Sequence, residues 1–153
     1  MKEDIVEVRV TGIAMANTPQ GPVPVALLED ANERVLLLVM DGSQAMAVQS
    51  TLDGQDVPST HSFILNLLNT LNASVKQAVI YGVSESRFLS KVAIDVEGEL
   101  KEVEGRAGDI VTLAFVAKAP IMVSDEVMEK VAINKSELYR PSEPEEESEE
   151  GLE

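Results

Sequence analysis

Apolar and polar positions alternate from the start of the chain. In "IVEVRVTGIAM", Ile5, Glu7 and Arg9 fall on one side and Val6, Val8 and Val10 on the other, the period-two pattern of a half-buried strand, before the sequence drifts apolar. The Pro- and Gly-containing stretch "NTPQGPVP" predicts a turn. Next come "VALLED" and, after the turn residues Ala31, Asn32 and Glu33, the continuous run "RVLLLVM". A run without alternation suits a strand covered on both faces, and Asp41 and Gly42 end it. "SQAMAVQSTLDG" has low β-propensity and good helix formers, which predicts a short helix closed by Gly54.

In "VPSTHSFILNLL", Ser59 or Thr60 can cap a helix running to about Asn72. Phe63, Ile64, Leu67, Leu68 and Leu71 make its apolar stripe, with His61 near the edge of the stripe and Ser62 on the opposite, exposed side. Two alternating strands follow, "VKQAVIYGV" and "RFLSKVAIDV", the second turning through Glu97 and Gly98 into "ELKEVEG" as a hairpin. The string "AGDIVTLAFVAKAP" pulls both ways: β-branched residues favour a strand, length and alanine content a buried helix. The helix is preferred, with Gly108 or Asp109 as its cap. After Pro120, "IMV" is a short strand and Ser124 opens a last helix with Asp125 and Glu126 in its first turn. The expectation is an α+β fold: a mixed, mainly antiparallel β-sheet packed with about four short helices in one domain over residues 1–136. An acidic tail over residues 137–153 ends in "SEPEEESEEGLE" and is expected to be disordered.

Composition narrows the chemistry. With three Phe, two Tyr and no Trp among 153 residues, the core must be aliphatic. The absence of cysteine excludes disulfides, thiolate metal sites and cysteine nucleophiles, and a single histidine excludes a zinc site built from several. The charged, strand-like start is not a signal peptide, and no apolar run reaches the roughly 18 residues of a membrane span; a cytoplasmic protein is expected. The formal charge is −15. The tail holds eight acids and one arginine, and residues 1–136 keep 19 acids against 11 bases. Such a domain repels polyanions, so tight nucleic-acid binding requires a divalent cation or a local basic patch.

Polar residues that can carry chemistry stand at element boundaries: Gln44 opening the first helix, Thr60 and His61 opening the second, and Glu104, Arg106 and Asp109 where a strand hands over to the third. Each has an ordinary alternative. Thr60 can be a cap, His61 a half-buried first-turn residue, Arg106 and Asp109 a local pair, and Gln44 structural. Taken in order, "GSQAMAV", "VPSTHSFILNLL", "EGRAGDIVTLAF" and "APIMVSDEVMEKV" resemble the bifunctional nuclease domain family over roughly Val6 to Ile133. The resemblance implies an α+β fold and cleavage of DNA and RNA. His61, Thr60, Arg106 and Asp109 match the family pattern, whereas Gln44 and Glu104 stand where the family usually has Glu and Asp. Val57, Ser62, Ala107 and Gly108 also depart from it.

For phosphodiester hydrolysis, Asp109 and Glu104 are the candidate ligands for Mg²⁺ or Mn²⁺, and Arg106 is a clamp for phosphate. His61 is the candidate general base or acid, since an imidazole titrates near neutral pH. Thr60 and Gln44 are candidate substrate contacts. Nucleic acid, engaged through the metal, is the expected partner. The alternative is a catalytically impaired relative that acts as a homo-oligomeric binding or adaptor protein.

Overall fold

The computed structural model of the chain describes residues 4–138. The opening alternation becomes β1 (Ile5–Thr18), with Val8 and Val10 buried and Glu7 and Arg9 exposed. β2 (Gly21–Glu29) pairs with it antiparallel from Thr18 opposite Gly21 to Arg9 opposite Glu29. The turn expected over "NTPQGPVP" therefore shrinks to Pro19 and Gln20. Prolines survive in β2 because the carbonyl of Pro24 accepts from the Met40 amide on the side away from β1. Residues 22 and 24 thus direct their missing N–H groups away from the β1 ladder, where a proline removes no bond. β3 (Arg34–Val39) pairs with β2, and side chains of both strands are buried on both faces, as the unbroken apolar run predicted. Leu36 and Leu38 join the main core with Ala26 and Leu28, while Val35 and Leu37 join a second cluster with Val25 and Leu27.

Two helices follow, α1 (Gly42–Leu52) and α2 (Thr60–Thr70). β4 (Ala73–Ser84), β5 (Arg87–Val96) and β6 (Glu99–Gly105) form a meander. Its second turn is the predicted hairpin, with Glu97 and Gly98 both at positive φ (53° and 89°) as a type I′ connection requires. The ambiguous stretch is a helix, α3 (Ala107–Val116), almost wholly buried. β7 (Ile121–Ser124) and α4 (Asp125–Val131) follow as expected, then β8 (Ile133–Asn134) and α5 (Lys135–Leu138), which the sequence pattern did not signal. Of the tail expected to be disordered over residues 137–153, Glu137 and Leu138 close α5, and the rest lies outside the described residues.

The strands form one eight-stranded sheet in the order β6-β5-β4-β7-β1-β2-β3-β8. Every pairing is antiparallel except β4 with β7. The fold is thus α+β with a mixed sheet, as expected, and four of its five helices reach seven residues or more. Arg34 ties the start of α4 to the β2–β3 connection: its guanidinium reaches Asp30 and Asp125, each at 2.7 Å. Burial pulls the Asp30 carboxyl upward, but the amides of Arg34 and Asn32 and the Arg34 guanidinium outweigh it and hold Asp30 below the usual aspartate value. No described helix is long and apolar enough to cross a membrane.

Candidate functional site

The site is built where the first turns of three helices meet. Asp41 caps α1: its side chain accepts from the Gln44 amide at 2.7 Å, and Gln44 Oε1 accepts from the Asp41 amide at 3.0 Å, a reciprocal capping box. That bond fixes the orientation of the Gln44 side chain. With its oxygen spent on the cap, its nitrogen points outward and donates to Asp109 Oδ1 at 2.7 Å. Gln44 is 5% exposed. The close approach depends on Gly108, because a Cβ there would lie 2.6 Å from Gln44 Oε1.

α2 is capped by Ser59, whose side chain exchanges hydrogen bonds with Ser62; Thr60 follows as an exposed first helical residue. The orientation of this helix corrects the expectation from sequence. Of the expected stripe, Phe63, Leu67 and Leu71 are exposed, whereas Ile64 and Leu68 lie on the inward face with His61 and Leu65. Those positions follow the i, i+3, i+4, i+7 spacing of a single helix face. His61 therefore lies on the buried stripe, and it is the one residue of α2 that is fully buried, at 4% exposure. Ser62, expected on the exposed side, is half-buried with its hydroxyl in the cap.

Asp109, in the first turn of α3, is the hub. Its Oδ1 receives Gln44 and lies 3.5 Å from His61 Nε2; its Oδ2 receives Arg106 Nε and Nη2, both at 3.1 Å. A carboxylate offers about four lone-pair sites, and in this corner each oxygen faces two nitrogens. Burial pushes the Asp109 carboxyl upward, but the Gln44 amide, the Arg106 guanidinium and the His61 ring together hold it below the usual aspartate value. The positive ends of three helix dipoles favour the same ionised state.

The structure thus brings Gln44, His61, Arg106 and Asp109 into one corner. Glu104 is engaged differently: its Oε1 accepts from the Tyr81 hydroxyl at 3.0 Å, a bond that raises the tyrosine's pKa. Among the described residues, no three or more His, Asp or Glu side chains are grouped so as to hold a metal ion. The donor set agrees, since Asp109 is surrounded by N–H groups and beside a guanidinium. A divalent cation does not fit this arrangement. His61 Nδ1 is enclosed with no protein group in hydrogen-bond reach. The ring is shut in, with Nε2 facing Asp109 Oδ1.

The family profile that describes the bifunctional nuclease domain matches residues 25–136, most of the chain. The chain belongs to the bifunctional nuclease domain family. The match begins within β2 and ends in α5, so this nuclease-like domain includes the whole corner. No curated protein matches the chain.

Sequence reasoning missed two parts of this bifunctional nuclease domain. The Asp41-x-x-Gln44 spacing of a capping box was legible and explains why Gln44 is held rigidly. The second is a cleft beside the corner, of about 620 Å³, whose lining includes Tyr81, Arg87, Phe88, Glu104 and Arg106. No local sequence signal marks it, because its walls come from β3, β4, the start of β5 and the β6–α3 junction.

Proposed function

We propose that this domain acts on the phosphodiester backbone of nucleic acid at the Arg106–Asp109 corner. The observation that carries the reading is the state of Arg106. Its side chain is 81% exposed, and the Nε–Nη2 edge is spent on Asp109. The Nη1 edge remains to grip a phosphate in bidentate fashion. The family supplies the class of substrate.

A phosphate gripped on the Nη1 edge draws the guanidinium away from Asp109, and the shift releases Oδ2 toward solvent, where Asp109 is 43% exposed. The freed oxygen is then the acceptor for the proton of an attacking water. The water oxygen bonds to phosphorus, and the displaced ester oxygen leaves with a proton from solvent. Gln44 and His61 hold Oδ1 throughout, so the carboxylate keeps its orientation while its partner changes. The charge of the chain is met locally by Arg106 and the helix N-termini. The sequence expectation of a bound Mg²⁺ or Mn²⁺ finds no support in the donor set.

A second reading, association without cleavage, is favoured by the exposed row Phe63 and Leu67 on α2 and Leu71 at its C-cap. This apolar surface suits self-assembly or a partner. The test is incubation of purified protein with labelled single-stranded RNA and DNA, in EDTA and with Mn²⁺, beside Arg106→Ala and Asp109→Ala. Cleavage in EDTA that both variants lose supports the first reading. Cleavage by wild type and variants alike, or none by any, refutes it. Light scattering then decides the second: a mass above that of one chain, reduced to one chain by Phe63→Ser, supports association.

A further inference from the structure

The cleft next to the corner has a composition of its own. Its volume of about 620 Å³ lies within the roughly 300–1,000 Å³ of small-ligand sites. Tyr81 and Phe88 are two of only five aromatic residues in the chain, and both line it. Arg87 also lines it and enters no ion pair among the described residues, in a chain of net charge −15. Arg106 contributes the other cation and is shared with the phosphate grip. Glu104 is the counter-charge: Oε1 takes the Tyr81 hydroxyl, and Oε2 has no hydrogen-bond partner among the described residues. Arg87 follows a two-residue hairpin turn in which Glu85 and Ser86 both sit at positive φ (51° and 65°) with no glycine to ease it.

We propose that this cleft is a base subsite, taking one unstacked nucleobase of a single-stranded segment against Tyr81 and Phe88 while Arg87 and Arg106 hold the flanking phosphates. The inference rests on the phosphodiester reading above and adds which form of nucleic acid is bound. Aromatic walls gain by stacking on a base face, and arginines at the rim match the phosphates on either side. A base inside a duplex cannot enter such a recess without being flipped out at a cost of a few kcal/mol, so single strands are preferred. Glu104 adds selectivity. Its free oxygen accepts from an exocyclic amine, as carboxylates do from cytosine N4, and repels the carbonyl that uracil presents at the same position.

The test is fluorescence anisotropy of labelled (rC)₄, (rU)₄ and a blunt duplex, all with cleavage-resistant phosphorothioate linkages, in EDTA at low salt. Wild type should bind (rC)₄ about tenfold more tightly than (rU)₄, equivalent to about 1.4 kcal/mol, and either more tightly than duplex. Arg87→Ala changes the exposed first residue of β5 and should still weaken (rC)₄ about tenfold. Glu104→Gln should remove the preference for cytosine. If Arg106→Ala abolishes binding but Arg87→Ala and Tyr81→Ala bind as wild type does, the base subsite is wrong and the phosphate reading stands. If wild type binds no oligonucleotide, the phosphate reading fails and the subsite falls with it.

Discussion

Replacing Gln44 by Glu changes one atom of the corner, and the structure says what that atom does. A glutamate at the third position of α1 still accepts from the Asp41 amide, so the capping box is retained. The difference falls on the contact with Asp109, where an N–H donor at 2.7 Å becomes a second anionic oxygen. Two unit charges about 4 Å apart repel by about 4 kcal/mol at an effective dielectric of about 20. Arg106 offsets part of this. The pair can also escape by taking up a proton, and protonating a glutamate of ordinary pKa about 4.3 at pH 7 costs about 4 kcal/mol. Protonation therefore sets a ceiling on the loss. The expected destabilisation at pH 7 is about 2–4 kcal/mol.

The sign of the pH dependence follows. The introduced carboxyl has a folded-state pKa raised above its unfolded value. The variant therefore approaches wild-type stability below about pH 4.3 and falls progressively behind as pH rises through the raised folded-state pKa. Urea denaturation of both proteins at acidic and neutral pH reads the gap directly. Saturating Mn²⁺ is a further arm: a carboxylate pair should bind the cation and regain stability, while wild type, with Asp109 enclosed by nitrogens, should gain none. A gap that is the same at both pH values, or a wild type stabilised by Mn²⁺, would refute the role of Asp109 as an ionised carboxylate satisfied by N–H donors alone.

Gly108→Ala should destabilise by about 1–3 kcal/mol, because its Cβ would meet the doubly bonded Gln44 amide; in urea, combination with Gln44→Ala should cost less than the sum of the single changes. Asp109→Asn tests the lowered carboxyl. The contribution of the ionised group is present above the ordinary value of 3.8 and lost as pH falls through the lower folded value. The wild-type advantage in urea midpoint should therefore be full at neutral pH and shrink in acid. Ser86→Gly relieves one left-handed residue of the β4–β5 turn and should raise the unfolding midpoint by about 1 kcal/mol of stability; no gain would mean that the turn is not strained.

Much of the architecture was legible because burial leaves a periodic trace. Val8 and Val10 against Glu7 and Arg9 specify a half-buried strand, and "RVLLLVM" specifies one covered on both faces; both appear as such. The parallel pairing of β4 with β7 was not legible, since it joins strands separated by a hairpin and a buried helix and no local pattern encodes a neighbour. The prolines misled for a different reason. Pro22 and Pro24 read as turn residues until the sheet shows that their missing donors face away from β1. α2 misled most, because the stripe counted over Phe63, Ile64, Leu67, Leu68 and Leu71 left His61 at its edge, whereas packing against α3 puts His61 inside with Ile64 and Leu68 and leaves Phe63, Leu67 and Leu71 exposed.

The corner itself was legible only as a set of boundary residues, and the reason is physical. First turns of helices carry unpaired amides and polar caps for local reasons, so Gln44, His61 and Asp109 each have a local role that explains them in isolation. Only their convergence distinguishes a site from three ordinary first turns, and convergence depends on α1, α2 and α3 meeting at their N-terminal ends. The structure also shows how one side chain can serve both purposes. Gln44 has a single oxygen and a single nitrogen; the cap takes the oxygen, and the nitrogen is thereby aimed at Asp109. A carboxylate in its place would keep the cap and demand a proton or a cation at Asp109. The amide satisfies Asp109 without either, by the single bond from Gln44 Nε2 to Oδ1.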